Sequence, residues 1–128
     1  MKVLDTTKNF LAIEEKYSLL ENSRVAIVSA PYEHTVSYGG GTKHAPKEIL
    51  GASAYVEFYD DEFDRELCFE IGIAAIKPLK FQKKHGVEAL ELIYEQVAAL
   101  LKIDKFVVTL GGEHSISTAP IKAHFEKY

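Results

Sequence analysis

The sequence predicts an α/β protein built on a parallel sheet with helices on both faces. Three apolar runs of strand length, residues 24–30, 67–76 and 106–110, lack the alternation of a half-exposed strand. Helical patterns follow them along the chain, at residues 46–55, 85–101 and 116–128. Because strands and helices alternate, we expect right-handed crossovers between neighbouring parallel strands.

Length and composition indicate one domain, residues 1–128, without an internal boundary. A chain of 128 residues that is 47% hydrophobic and 27% charged has the balance of a single globular core. Its formal charge of -4 makes nucleic acid and anionic membranes poor partners and favours neutral or cationic small molecules. No apolar run is long enough to span a bilayer, and no signal sequence is recognisable, so a cytoplasmic location is expected.

The first apolar run is expected to be a central strand followed by a functional loop. A loose helical stripe at residues 6–21 precedes it. Residues 31–46 after it are polar and glycine-rich, a composition typical of binding loops. Pro46 suits the first turn of the next helix, and Thr42 or His44 could cap it.

Three other features favour structural interpretations. The three glycines before Thr42 and Lys43 invite comparison with a phosphate loop, but the order of Thr and Lys is reversed. The acidic residues 60–64 lack the glycine and final Glu of a calcium loop, which favours a solvated turn. Cys68 is the only cysteine and is expected to be a small buried hydrophobe in a reducing compartment.

The third apolar run ends in a turn that carries the most chemistry. It is expected to be buried on both faces, and the next residues are Gly111, Gly112, Glu113, His114 and Ser115. Ligands bind at the carboxyl ends of strands in open α/β sheets. His114 could be a metal ligand, a general base or a hydrogen-bonded structural residue. A nucleophile elbow is excluded because His occupies the nucleophile position and no glycine closes the motif.

Two segments together resemble the ureohydrolase family of arginases, agmatinases and formimidoylglutamases. Residues 110–117, Leu-Gly-Gly-Glu-His-Ser-Ile-Ser, are similar to the family's first metal-binding motif. Residues 31–38, Pro-Tyr-Glu-His-Thr-Val-Ser-Tyr, together with Gly41-Thr42-Lys43 and Ala45-Pro46, are similar to the amino-terminal loop of agmatinases. The sequence differs from the family at Gly39-Gly40, where Arg-Pro is usual, and at Glu113, where Asp is common.

The resemblance implies a fold, a reaction and a set of site residues. The fold is a three-layer sandwich with a parallel sheet, of which this chain would be the amino-terminal part. The reaction is hydrolysis of a guanidinium by a hydroxide bound to two manganese ions, releasing urea, and putrescine when the substrate is agmatine. His114 would be a metal ligand. Glu113 and Ser115 would support that ligand without binding the metal. Thr35, Ser37 and Tyr38 would belong to the substrate loop, and no catalytic residue is assigned.

The family's other metal ligands lie in two aspartate-rich segments that these 128 residues do not contain. His34, His44, His124 and the acids at 60–64 do not have the spacing of a substitute site. We therefore expect the chain to be the amino-terminal half of an agmatinase-type ureohydrolase, inactive alone and oligomeric in full-length form. The alternatives are a non-catalytic binding or assembly module and a ureohydrolase for another guanidino or formimino substrate.

Overall fold

The computed structural model describes all 128 residues and contains a three-stranded parallel sheet in the order β2-β1-β3. The strands are β1 (Val25–Ala30), β2 (Ile73–Ala75) and β3 (Phe106–Gly111). β1 is central, as predicted. It pairs with β3 in a continuous register from Val25↔Phe106 to Ala30↔Gly111, and with β2 over three residues.

Five α-helices accompany the strands: α1 (Glu15–Ser18), α2 (Ala45–Ser53), α3 (Leu67–Ile71), α4 (Val87–Lys102) and α5 (Thr118–Lys127). Short 3-10 helices lie at Phe10–Ala12, Leu20–Asn22, Thr42–His44 and His114–Ser117. The continuous stripe predicted at residues 6–21 is therefore three separate turns. Leu11 and Ala12 have positive φ values of 65° and 51°, which a continuous right-handed helix cannot accommodate.

One face of the sheet packs against α4 and α5. Alternate residues of β1, namely Ala26, Val28 and Ala30, are fully buried in this core. The matching stripe of α4 comprises Ala89, Ile93, Val97 and Leu100, spaced by three and four residues. The alanines leave room for these larger side chains, so the sheet and the helices can interdigitate.

The opposite face of the sheet carries a second, smaller core. Ile27 and Ile73 point to this side and pack with Leu11, Ile13 and Cys68. Cys68 is buried, as predicted, and its burial raises the pKa of the thiol. Helical segments on both faces give the three-layer α/β arrangement expected from the sequence.

The prediction of a strand at residues 67–76 is wrong for the first half of that range. Residues Leu67–Ile71 form α3, and only Ile73–Ala75 form a strand. Gly72 separates the two elements with a φ of +64°, and a Cβ there would lie 2.6 Å from the backbone oxygen of Asn22. An apolar run that crosses such a glycine has no single period, and its composition does not separate a short helix from a strand.

β3 is less buried than its apolar sequence predicts. Its side chains contact both cores, through Val107 on one face and Val108 and Leu110 on the other. However, β3 lies at the edge of the sheet, and Phe106 is 70% exposed. None of the helices combines the length and the apolar composition that a bilayer span requires.

Replacing Gly72 with Ala should destabilise the chain, whereas replacing Gly51 should not. At Gly72 the backbone conformation favours glycine and the space is filled by backbone atoms, so the free energy of unfolding should fall by about 2 kcal/mol or more. Gly51 lies within α2 with open space around it, so Gly51→Ala should raise the free energy of unfolding by about 0.5–1 kcal/mol. Urea unfolding measures both, and equal midpoints for the two variants would contradict this account.

Candidate functional site

The candidate site lies at the carboxyl end of the sheet, where β1 and β3 end side by side. Because Ala30 pairs with Gly111, the loop after β1 and the turn after β3 begin at the same level. The ladder continues past the strands: the Gly112 N–H donates to the Ala30 carbonyl at 3.3 Å, and the Glu113 N–H donates to the Tyr32 carbonyl at 2.8 Å. The two segments singled out in the sequence are therefore in direct contact.

This contact is possible because the turn has no side chain at residues 111 and 112. A Cβ on Gly112 would lie 2.0 Å from the backbone oxygen of Tyr32. A Cβ on Gly111 would lie 2.0 Å from Cδ1 of Ile116, a buried side chain rather than backbone. The two glycines therefore allow the backbones to approach and place Glu113 beneath the loop.

The Glu113 carboxylate accepts four hydrogen bonds, and three of them join the turn to the loop. Its Oε2 accepts from the backbone N–H groups of His34 at 2.5 Å and Thr35 at 2.6 Å. Its Oε1 accepts from the hydroxyls of Thr35 and Ser115, both at 2.6 Å. Glu113 is only 5% exposed, so these donors replace the water that the carboxylate loses on burial.

The hydrogen bonds keep Glu113 ionised despite its burial. Burial alone would raise the pKa of this carboxyl, but the donors from Ser115, Thr35 and His34 outweigh burial and lower the pKa from 4.5 to about 2. The negative charge at the base of the loop is therefore stable at neutral pH.

His114 and Ser115 begin the short helix His114–Ser117 directly after Glu113. The His114 side chain is exposed at the carboxyl end of the sheet, a position open to a metal or ligand. Ser115 is half-buried, and its hydroxyl donates to Glu113. None of the four hydrogen bonds of the Glu113 carboxylate reaches the His114 ring.

The substrate-loop candidates occupy two different environments. Thr35 is fixed by Glu113 through both its amide and its hydroxyl. Ser37 and Tyr38 lie beyond it in the exposed part of the loop, where Tyr38 is 97% exposed. The structure therefore links Thr35 directly to the turn but leaves Ser37 and Tyr38 at the surface.

A second carboxylate, which the sequence analysis missed, organises the glycine-rich part of the loop. Glu33 accepts from the Gly41 N–H at 2.6 Å, the Thr42 hydroxyl at 2.9 Å and the Lys43 N–H at 3.2 Å. The hydrogen bond from the Thr42 hydroxyl is the main cause that lowers the pKa of Glu33. These amides are the kind of donors a phosphate loop would offer, and here the chain's own carboxylate occupies them. Neither Thr42 nor His44 caps α2 by a side-chain hydrogen bond.

The loop before α4 also reaches the site. The Gly86 N–H donates to the Tyr32 hydroxyl at 2.9 Å, and the rings of His34 and His85 stack with centroids 3.9 Å apart. His85 is exposed but makes this contact. No sequence signal relates these residues, because the contact depends on how the two loops meet.

The structure provides no complete metal site. No three His, Cys, Asp or Glu side chains lie close enough together to hold an ion. His44 is exposed, and His124 is engaged with the Pro120 carbonyl at 2.7 Å. The acids at 60–64 form an exposed turn, closed by paired backbone hydrogen bonds between Asp60 and Arg65. His114 alone does not fit a two-metal centre.

The buried Glu113 should make stability depend on pH in the acid range. Its pKa lies below that of an ordinary carboxyl, so the unfolded chain binds more protons than the folded chain between about pH 4.5 and 2. This contribution, roughly 3 kcal/mol from the size of the shift, is present above pH 4.5 and is lost as the pH falls to 2. Urea unfolding from pH 7 to 2.5 should show a shallower acid loss for Glu113→Gln than for wild type. If the stability of the two proteins fell in parallel with pH, Glu113 would not be the source of this pH dependence.

The two glycines of the turn should differ in their tolerance of alanine. Gly111→Ala should cost about 1–2 kcal/mol, because only the buried side chain of Ile116, and no backbone, must shift. Gly112→Ala should cost about 3 kcal/mol or more, because the obstructing atoms are the backbone of Tyr32. Denaturant unfolding of both variants measures the difference, and a smaller loss for Gly112→Ala would show that the backbones separate easily.

Curated relatives match this chain over most of its length. A relative from Synechocystis, named N(1)-aminopropylagmatine ureohydrolase, is 36% identical over 91% of the chain and 39% of its own length. The agmatinase of Bacillus cereus is 38% identical over 84% of the chain and 37% of its own length. The chain therefore spans about two fifths of the length of these relatives.

Solved structures and a family model agree with this comparison. The agmatine ureohydrolase of Thermoplasma volcanium superposes on this chain with a TM-score of 0.74 and 26% sequence identity. The match covers 96% of this chain and 38% of the length of that protein. The proclavaminate amidino hydrolase of Streptomyces clavuligerus has the same fold, with a TM-score of 0.78 and 17% sequence identity. The match covers all of this chain and 40% of the length of that protein. The arginase family model matches residues 23–128, which include both the loop and the turn. The chain belongs to the arginase family.

Proposed function

We propose that the protein acts as an agmatinase-type ureohydrolase. The observation that carries this proposal is the contact between the two family segments, in which Glu113 joins the loop after β1 to the turn that bears His114. Relatives that match this chain are named for hydrolysis of agmatine and aminopropylagmatine. The reaction adds water to a guanidinium carbon, breaks its bond to the alkyl-bearing nitrogen, and releases urea and a primary amine.

The metal proposed for this reaction is manganese, with His114 as one ligand. An exposed imidazole at the end of a rigid strand is a well-fixed nitrogen donor. Since no cluster of ligands surrounds it, we propose that the other ligands come from a segment outside these 128 residues and that the isolated chain is inactive. The cytoplasm is the proposed location, and polyamine synthesis the proposed role.

A urea-release assay tests this proposal. The chain should be joined to the part of the Bacillus cereus agmatinase that it does not match and assayed with manganese on agmatine and N(1)-aminopropylagmatine. The joined protein should release urea from one of these substrates, and the 128-residue chain alone should not. Activity of the chain alone would show that it holds further metal ligands. If both substrates fail and another guanidino or formimino compound is hydrolysed, the substrate assignment is wrong.

His114→Asn should reduce this activity by about 100-fold or more. Substitution of a residue that only hydrogen-bonds to a metal ligand already lowers metal affinity or activity by about 10–100-fold. His44→Asn, at an exposed histidine in the short helix Thr42–His44, is the matched control and should retain activity. Isothermal titration with manganese should show weaker binding for the His114 variant only. Full activity of His114→Asn would remove its assignment as a ligand.

An assembly role is the second candidate, and the open edge of β3 favours it. β3 pairs only with β1, so its other edge offers unpaired backbone groups beside the exposed Phe106. Such an edge can accept a strand from another chain. Size-exclusion chromatography of the 128-residue chain should then show association, and a stable monomer at high concentration would argue against this role.

A further inference from the structure

The contacts of Glu113 define a role that differs from the one suggested by its neighbour His114. A carboxylate that orients a metal-ligating histidine accepts a hydrogen bond from the ring nitrogen that does not bind the metal. The four bonds of Glu113 go instead to His34, Thr35 and Ser115. Three of these four come from the loop after β1, so the loop is the main structure that Glu113 holds.

The exposed part of this loop has fixed ends and no anchors of its own. Residues 36–40 make none of the backbone hydrogen bonds found outside the helices and strands. Glu113 holds the chain before this segment, at His34 and Thr35, and Glu33 holds it afterwards, at Gly41, Thr42 and Lys43. Only Glu113 connects the segment to the turn after β3, because Glu33 belongs to the loop itself.

We propose that Glu113 is a positioning residue that fixes residues 36–40 relative to His114 by holding the backbone of His34 and Thr35. The segment carries the hydroxyl of Ser37 and the phenol ring of Tyr38, groups that can receive an ammonium or guanidinium group. Glu113 therefore acts on substrate binding through the loop. The identity of that substrate rests on the proposed function, but the attachment of the loop does not.

Amide hydrogen exchange in the 128-residue chain, followed residue by residue by NMR, tests the attachment without any assay of activity. In Glu113→Gln the charge-assisted bonds become neutral ones of about half the strength, so the His34 and Thr35 amides should exchange about tenfold faster. Glu113→Asp keeps the charge and both oxygens, and should bring exchange to within about threefold of wild type. Unchanged exchange at His34 and Thr35 in the folded Gln variant would overturn the proposal.

Two further variants keep the test decisive if the Gln variant does not fold. Thr35→Val removes one hydroxyl donor and preserves the shape, so the Thr35-position amide should exchange about threefold faster. Glu33→Gln is the matched control: it should accelerate exchange at Gly41 and Lys43 and leave His34 and Thr35 unchanged. Acceleration at His34 and Thr35 in this control would show that the loop unfolds as a unit, against a separate role for Glu113.

Kinetics of the active joined protein distinguish the loop from His114 as the target of Glu113. Glu113→Gln should raise KM for the guanidino substrate by about tenfold and change kcat by less than about threefold. A fall in kcat with unchanged KM would overturn the proposal. If the joined protein releases no urea from any substrate, the proposed function fails, and amide exchange alone decides the role of Glu113.

Discussion

The site depends on the parallel pairing of β1 with β3. Six residues of each strand are in register, and the last pair is Ala30 with Gly111. Both chains therefore leave the sheet at the same level and in the same direction. Segments about 80 residues apart in the sequence become neighbours, and the absence of a Cβ at Gly112 lets their backbones touch. A shift of this register would separate Glu113 from His34 and Thr35.

The two cores hold this register from opposite sides. Ala26, Val28 and Ala30 face α4 and α5, whereas Ile27 faces the smaller core that contains Cys68. A shift by one residue would exchange these two sets, placing isoleucine against the tightly packed helices and alanine in the second core. The difference in side-chain size on the two faces of β1 thus favours a single register, and that register brings the loop and the turn together.

The sequence was sufficient for elements with a strong local pattern. β1, α4 and β3 were predicted because a continuous apolar run or a three-and-four spacing belongs to each element alone. The α3–β2 region was predicted incorrectly because one apolar run spans two elements with a glycine between them. The turn after the third apolar run singled out Glu113 and Ser115, and the family resemblance added Thr35, but neither predicted the bonds among them. Those bonds, like the stacking of His34 on His85, depend on packing between distant segments and leave no periodic signal.

The same carboxylates that order the loop also determine what kind of ligand this end of the sheet can receive. Backbone amides after a strand often attract phosphate or another anion. Here Glu33 and Glu113 already occupy those amides, so an incoming anion would have to displace a carboxylate of the chain. Glu113 stays ionised because its donors offset its burial, and the chain as a whole carries a formal charge of -4. The resulting field disfavours anions and favours a cationic ligand. A guanidinium compound with a second amine, as in the proposed reaction, meets that requirement, whereas a nucleotide does not.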